Sequence, residues 1–453
     1  MKFLKILLAL SLLIPGLRAA EVDANVRELV LPEEVYPQLN TILATAVRQS
    51  PRMLNRALDL EIAEATRIQA RSNLLPSIGG YANYIESRDT RADLVGRLDV
   101  TKIAYNFSIS QPLFHWGERY NYARIGQIQE SIAKGQYRDG YRVLAQTLRG
   151  DYLRLIIHKV LMKRAAFYLE HTQNQLTHEE ERLAKKVISE YQISTFRLAA
   201  EQAQISSERA QFDFEMAKVS FARLSGSPLL TDAAIPDSIP VVAYSPGAIG
   251  RLLADYLGRK EMPTMEAVTM RKLIESEKLS YASVKTRLRP KFSLMFGVSQ
   301  DEQSYTINVA QKFRVNSQYG GVTASWAIFD SFASQAAVRS ALARRRQMDN
   351  DYRDLTGRLL QTAQIQVRQL DFSARTMALT DRALVAGENN LQAKQEEFKR
   401  GVMAEADVNQ ARVALYDAHL SALYGRSDFL TKTGDFLATI AQDPVIAQLP
   451  ETK

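Results

Sequence analysis

The amino-acid sequence predicts an α+β membrane protein. The expected architecture is a trimeric twelve-stranded β-barrel, four strands from each chain, continued by a long α-helical coiled-coil barrel and built on an internal duplication. Three observations predict it. One set of landmarks occurs twice in the same order, four short segments alternate apolar with small polar residues, and two long proline-free stretches carry heptad spacing.

At the N-terminus, Lys2 and Lys5 precede the apolar run from Ile6 to Ile14, which is followed by Pro15-Gly16 and the small pair Ala19-Ala20. A charged start, a short apolar run and a small-residue site describe an export signal, here residues 1–20. That run is too short to span a bilayer, and no later apolar stretch reaches the length of a membrane helix. The 453 residues contain no cysteine, which excludes disulfides, thiolate catalysis, cysteine metal sites and an N-terminal lipid anchor. If a membrane holds the mature chain, strands must do it. Lys+Arg 58 against Asp+Glu 50 leaves a net charge of +8, spread along the chain. Its densest run, Arg344-Arg345-Arg346, has no interleaved aromatics and reads as a solvated helix face; no nucleic-acid partner is expected.

The duplication has a period of about 215 residues. Asn106-Phe-Ser-Ile-Ser-Gln-Pro-Leu-Phe-His-Trp-Gly117 runs into Ala123-Arg124, and Gly321-Val-Thr-Ala-Ser-Trp-Ala-Ile-Phe-Asp-Ser-Phe332 runs into Val338-Arg339. Upstream, Leu74-Leu75-Pro76 matches Leu288-Arg289-Pro290; downstream, Val187-Ile188-Ser189-Glu190 matches Val402-Met403-Ala404-Glu405. The join falls in the Pro-, Ser- and Asp-rich stretch from Pro228 to Pro246, so repeat 1 is set at 21–240 and repeat 2 at 241–453.

Each repeat supplies two strands, expected near 76–88 and 100–114 in the first and 290–301 and 318–330 in the second. Phe292, Leu294, Phe296 and Val298 alternate with Ser293, Met295, Gly297 and Ser299, and Tyr105, Phe107 and Ile109 alternate with Asn106, Ser108 and Ser110. Val322, Ala324, Trp326 and Ile328 repeat the pattern, and Ile78 to Ile85 is a weaker instance. Such segments are apolar on one side and wet on the other. Ser87 to Asp99 and Gln300 to Gln318 are read as polar loops between them. Four strands cannot close a barrel, and an open edge cannot face lipid. Two chains would give a barrel filled by its own side chains, whereas three give the smallest closed option with an open lumen.

The remainder is helix, expected over 115–226 and 331–440. The absence of proline between Pro112 and Pro228, and again between Pro290 and Pro444, leaves room for helices of about 60 residues, or ~90 Å. Leu360, Ala363, Val367, Leu370, Ala374 and Met377 form one seam, and Val408, Ala411, Leu415, Ala418 and Ala422 another. The latter has its repeat partner in Ile193, Phe196, Ala200, Ala203 and Ser207. Spacings of three and four with small residues fit closely packed antiparallel coiled coils.

Taken together, Leu74-Leu75-Pro76, Ser110-Gln-Pro-Leu-Phe-His-Trp-Gly117, Ser325-Trp-Ala-Ile-Phe-Asp330 and Phe398-Lys-Arg-Gly401-Val-Met-Ala-Glu-Ala-Asp407-Val408 resemble the TolC family of outer-membrane efflux proteins. The resemblance runs from Tyr36 to Phe436 and rests on the order and doubling of the motifs. It implies a homotrimeric outer-membrane channel with its helices in the periplasm, a passive export duct for a tripartite efflux pump or a type I secretion system. The implied partners are outer-membrane lipid, a periplasmic adaptor (membrane fusion) protein and an inner-membrane transporter. It also implies a periplasmic gate at the tip turn around Gly401, with Asp407 in an acidic ring. Phe398 stands where the family commonly has tyrosine, Met403 where it has arginine and Gln410 where it has a second aspartate, so an apolar Phe398–Met403 contact is expected in place of a polar lock.

Trp116 and Gly117, with Trp326 and Phe329 in the second copy, are assigned to the strand–helix junction at the membrane interface, where amphipathic rings favour the headgroup level. His171 and His178 lie two helical turns apart, about 10 Å, too far to share an ion. No phosphate-binding Gly loop, nucleophile elbow or His-Glu-x-x-His is present, so no catalytic residue, cofactor or metal is assigned. The alternative reading is a periplasmic coiled-coil scaffold or adaptor without a barrel.

Overall fold

The computed structural model describes residues 26–90, 97–304 and 312–449; the expected export signal lies outside them. In chain order the helices and strands are α1 (Pro32–Val35), α2 (Pro37–Gln49), α3 (Pro51–Ser72), β1 (Ser77–Thr90), β2 (Arg97–Phe114), α4 (Glu118–Ala184), α5 (Glu190–Ser225), α6 (Pro246–Gly258), α7 (Met265–Val284), β3 (Lys291–Ser304), β4 (Lys312–Ser325), α8 (Ala333–Lys399) and α9 (Glu405–Thr439). None of the described helices is long and apolar enough to cross a membrane. The chain divides into two compact units, and each draws on both sequence repeats: residues up to Pro51 with Tyr141–Lys260 and Gln361 onward, and Arg52–Gly140 with Glu261–Leu360.

The second of these units holds the sheet. Its strands are all antiparallel in the order β1-β2-β3-β4, so the two hairpins join through β2 and β3, leaving β1 and β4 as edges. The register puts Ile78, Phe107, Val298 and Ile109, Phe296, Val322 on one face. Asn106, Ser108, Ser299 and Thr323 fall on the other. On the apolar face the Phe107 ring covers Gly80 and the Phe296 ring covers Gly320, so closely that a Cβ would stand 2.4 and 2.6 Å from them. On the wet face Tyr319 reaches across β3 and donates its hydroxyl to Asn106 at 3.3 Å.

The strands run further than the hydropathy pattern indicates. Ser87–Thr90, Arg97–Asp99, Gln300–Ser304 and Lys312–Gln318, expected as loop, are ladder; only 91–96 and 305–311 lie outside the described residues. A ladder needs backbone partners rather than apolar side chains, and polar cross-strand pairs serve it here. Lys102 meets Asp301 at 2.6 Å, and Arg314 meets Glu302 at 3.2 Å. In the other direction β4 stops at Ser325, short of the expected 330, because the chain turns at Trp326 toward α8. Beside the sheet, α3 and α7 flank the first part of α4. Arg67 pairs with Glu130 at 2.8 Å on one side, and Asn121 bonds Ser283 at 3.1 Å on the other.

The other unit is wholly helical. The Tyr141–Ala184 part of α4 buries Tyr141, Leu144, Leu148, Tyr152 and Ile156, steps of three and four residues that keep one face inward. Leu39, Ile42, Leu43, Ala46 and Val47 of α2 are buried by the same periodicity. Ring and ion contacts order the long helices as α5-α4-α9-α8. Tyr152 meets Phe221 at 5.9 Å, Phe167 meets Tyr416 at 5.3 Å, and Arg426 of α9 meets Asp381 of α8 at 2.8 Å. The expected seam is buried at Ala363, Leu370, Ala374 and Met377, at Val408, Ala411 and Ala422, and at Ile193, Ala200 and Ala203.

Within this core lies a charged cluster. Arg149 is 3% exposed and donates to Glu33 Oε2 at 2.7 Å, and to Asp443 Oδ2 and Oδ1 at 2.8 and 3.0 Å. Burial alone would lower the Arg149 pKa, but the hydrogen bonds and charges of Asp443 and Glu33 raise it above the ordinary arginine value. Removing one partner from such a buried set costs about 3–5 kcal/mol, because the remaining charge is stranded out of water.

Candidate functional site

Two kinds of turn position the residues singled out in the sequence: the helix tips, where α4 passes to α5 and α8 to α9, and the strand–helix junctions, where β2 passes to α4 and β4 to α8.

At the second tip the helix ends on Gly401, with φ +74°. Gly401 N–H donates to Phe398 O at 2.9 Å and Val402 N–H to Glu397 O at 3.1 Å. This paired closure uses the last free carbonyls of α8 and requires the left-handed conformation that glycine adopts without cost. The first tip closes identically: Lys186 N–H donates to Leu183 O at 2.8 Å and Val187 N–H to Arg182 O at 2.9 Å, with Lys186 at φ +59°.

The following helices start differently. Ser189 caps α5 with its hydroxyl accepting from Gln192 N–H at 3.3 Å, and Gln192 Oε1 accepts from Ser189 N–H at 3.0 Å. The corresponding pair before α9 is Ala404 and Asp407. Ala404 offers no side-chain cap, so Asp407 sits in the third helical position with its N–H on Ala404 O at 3.1 Å. Its half-buried carboxylate makes no hydrogen bond or ion pair among the described residues. Gln410 follows on the same helix face, exposed; Met403 is half-buried, and Phe398 keeps 43% of its surface exposed. The turn therefore carries Phe398, Gly401 and Met403 within six residues of sequence, with Asp407 about one helical turn and Gln410 about two beyond Met403.

At the junctions the roles reverse. Trp116 and Gly117 adopt φ +53° and +81° between β2 and α4, and Ser331 and Phe332 adopt φ +51° and +66° before α8. Glycine serves the first junction and the second tip; bulkier residues take the left-handed positions at the other two. Trp116 donates its indole N–H to Pro290 O at 2.7 Å, and Trp326 donates to Leu288 O at 2.9 Å. Gln111, the counterpart of Trp326, makes the equivalent bond to Leu74 O at 3.1 Å. Phe329 is exposed and packs edge-on against Phe332 at 5.4 Å.

One feature escaped the heptad reading. Besides the buried seam, α5 carries a second apolar stripe, Tyr191, Leu198, Ile205 and Phe212, at 82, 64, 66 and 61% exposure, and continues it to Val219. The other outer helix of this unit, α8, carries Ile365, Phe372 and Leu379 at the same spacing, also exposed. A strict interval of seven, offset from the first seam, was the signal. A helix with two apolar stripes packs on both sides.

Among proteins of known structure, this fold is that of outer-membrane efflux channels. The Campylobacter jejuni CmeC channel superposes with a TM-score of 0.68 at 13% identity, over 89% of this chain and 86% of its own. VceC from Vibrio cholerae gives 0.63 at 14% over 91% and 98%, and the Neisseria gonorrhoeae MtrE channel, solved in its open state, gives 0.64 at 16% over 89% of each. Residues 269–432 match the outer membrane efflux protein family. No curated protein matches the sequence significantly.

Proposed function

We propose that three copies of this chain form an outer-membrane efflux channel of the TolC type, with the sheet in the outer membrane and the helices in the periplasm. The observation that carries this reading is the open two-faced sheet. Its β1 and β4 edges lack strand partners among the described residues, and a sheet with unpaired edges cannot stand in lipid. Pairing β4 of one copy with β1 of the next supplies the missing ladders, and three copies give twelve strands around a lumen. Its apolar face then meets lipid and its serine- and asparagine-bearing face lines the pore. The exposed stripes of α5 and α8 support the same assembly, because they lie on the outer helices of their unit, where a head-to-tail ring of copies would cover both. The match of residues 269–432 to the outer membrane efflux protein family supports the transport role.

In this reading residues 1–20 are removed on export, and the helix tips dock on a periplasmic adaptor coupled to an inner-membrane transporter. The transporter selects the cargo, so the duct itself is passive. Asp407 of each copy contributes to a ring at the narrow periplasmic end, where closely spaced carboxylates hold cations; Phe398, Met403 and Gln410 line the same constriction. The test is assembly and conductance: the purified chain should run as a heat-modifiable trimer and conduct in planar bilayers. A chain that carbonate strips from membranes would instead be a periplasmic scaffold.

A further inference from the structure

Toward the helices, the apolar face of the sheet changes character. Leu294 gives way to the paired Phe292 and Phe114, across a register shift beginning at Pro112. Trp116 stands edge-on to Phe114 with ring centroids 4.8 Å apart, and the Arg289 guanidinium lies over the Trp116 ring, 4.7 Å from its centroid. Arg289 makes no ion pair among the described residues. Its neighbours two and four positions back are Arg287, no nearer than 3.9 Å to Asp330, and Lys285, held over the Tyr281 ring at 4.8 Å. All three basic side chains are exposed, and the segment bearing Arg287 and Arg289 is fixed by the two indoles bonded to Leu288 and Pro290.

Apolar, then aromatic, then cationic is the order in which a bilayer passes from hydrocarbon to headgroup. A cation neutralised by a protein carboxylate needs no other partner, but among the described residues Lys285 and Arg289 have none and Arg287 only a distant one, Asp330 at 3.9 Å. Stacking on Trp116 also leaves the in-plane N–H donors of Arg289 free for a bidentate acceptor. We propose that Lys285, Arg287 and Arg289 bind the phosphate of anionic phospholipid headgroups in the periplasm-facing leaflet, with Trp116 and Trp326 setting the depth. This rests on the outer-membrane barrel reading. Zwitterionic lipids are poorer ligands because their own ammonium group competes for the phosphate.

The chain has 2 tryptophans, both at this junction, which makes them reporters. The full-length trimer is placed in phosphatidylethanolamine vesicles containing a minority of phosphatidylglycerol, with bromine on the acyl chains of one lipid or the other. Brominated phosphatidylglycerol should quench tryptophan emission well beyond its mole fraction, reporting about five-fold local enrichment. In the double variant Arg287→Gln/Arg289→Gln that excess should vanish, while brominated phosphatidylethanolamine still quenches. Quenching in proportion to mole fraction in the wild type overturns the headgroup site and leaves the barrel standing. No quenching by either lipid overturns the barrel itself. Inorganic phosphate added to detergent-solubilised protein should leave the emission unchanged; a change as large as that caused by phosphatidylglycerol would assign the site to free phosphate and overturn the lipid proposal.

Discussion

The two halves of the chain make the same turns with different residues. At the tips, Lys186 and Gly401 hold the same left-handed position with the same pair of backbone bonds; at the junctions Gly117 and Phe332 do the same. Helix starts differ more: Ser189 and Gln192 satisfy each other, while Ala404 leaves Asp407 with no cap to complete. The lesson is that the backbone path is the duplicated object. Once the path is held, one copy spends its polar side chain on capping and the other presents a bare carboxylate.

The largest effect expected from this pairing concerns assembly. Phe212→Glu on α5 and Phe372→Glu on α8 each place a charge in an exposed apolar stripe. Either should abolish the trimer, read by light scattering in mild detergent, since in the proposed assembly the two stripes would face each other across one repeated interface. A trimer lost in one variant and kept in the other would show that the stripes are not partners. The left-handed tip positions come next. Gly401→Lys should destabilise by about 1–2 kcal/mol, and Lys186→Gly should relieve a strain of the same order. Opposite shifts in the denaturation midpoint test this; equal signs would mean the turns are held by something other than the backbone closure.

The carboxylate difference gives a subtler pair. Asp407→Ala should weaken cation selectivity and multivalent-cation block in single-channel recordings while the trimer persists. Installing Gln192→Asp with Ser189→Ala, which copies the second tip onto the first, should deepen both. A reversal potential that moves in neither variant would make both residues ordinary solvated helix charges. The smallest effect is Ala404→Ser, which restores the missing cap and should add about 0.5–2 kcal/mol to stability. Hydrogen exchange of the first turn of α9 reports it, and unchanged protection would count against the capping argument.

Much of this was legible in the sequence because it depends on period. The repeat, the alternating strands and the first heptad seam follow from spacing alone, and Trp116 and Trp326 stand just past the ends of β2 and β4, where the chain turns toward helix. What spacing does not carry was missed. The strand end at Ser87–Thr90 is polar on both faces, so alternation has nothing to mark there, and at Lys312–Gln318 only Phe313 and Val315 alternate with polar neighbours, opposite Gln303 and Asp301. Lys186 gives no sign of a left-handed turn, as a glycine does. The outer stripe of α5 was readable but lay beside a seam that already accounted for the helix. The partners of Arg149 are separated from it by 116 and 294 residues, and no local pattern joins them.

That last separation bears on time as well as space. Arg149 lies in the first third of the chain, and its second acid, Asp443, is made 294 residues later. Until Asp443 arrives, the guanidinium has only Glu33, and the cavity that seats it holds an incompletely compensated charge. The cluster at the core of the helical unit is thus completed only by contact between a late segment and an early helix, the long-range kind of closure expected to form late. In the proposed export, that late closure would leave the subunit open until nearly all of it has come through.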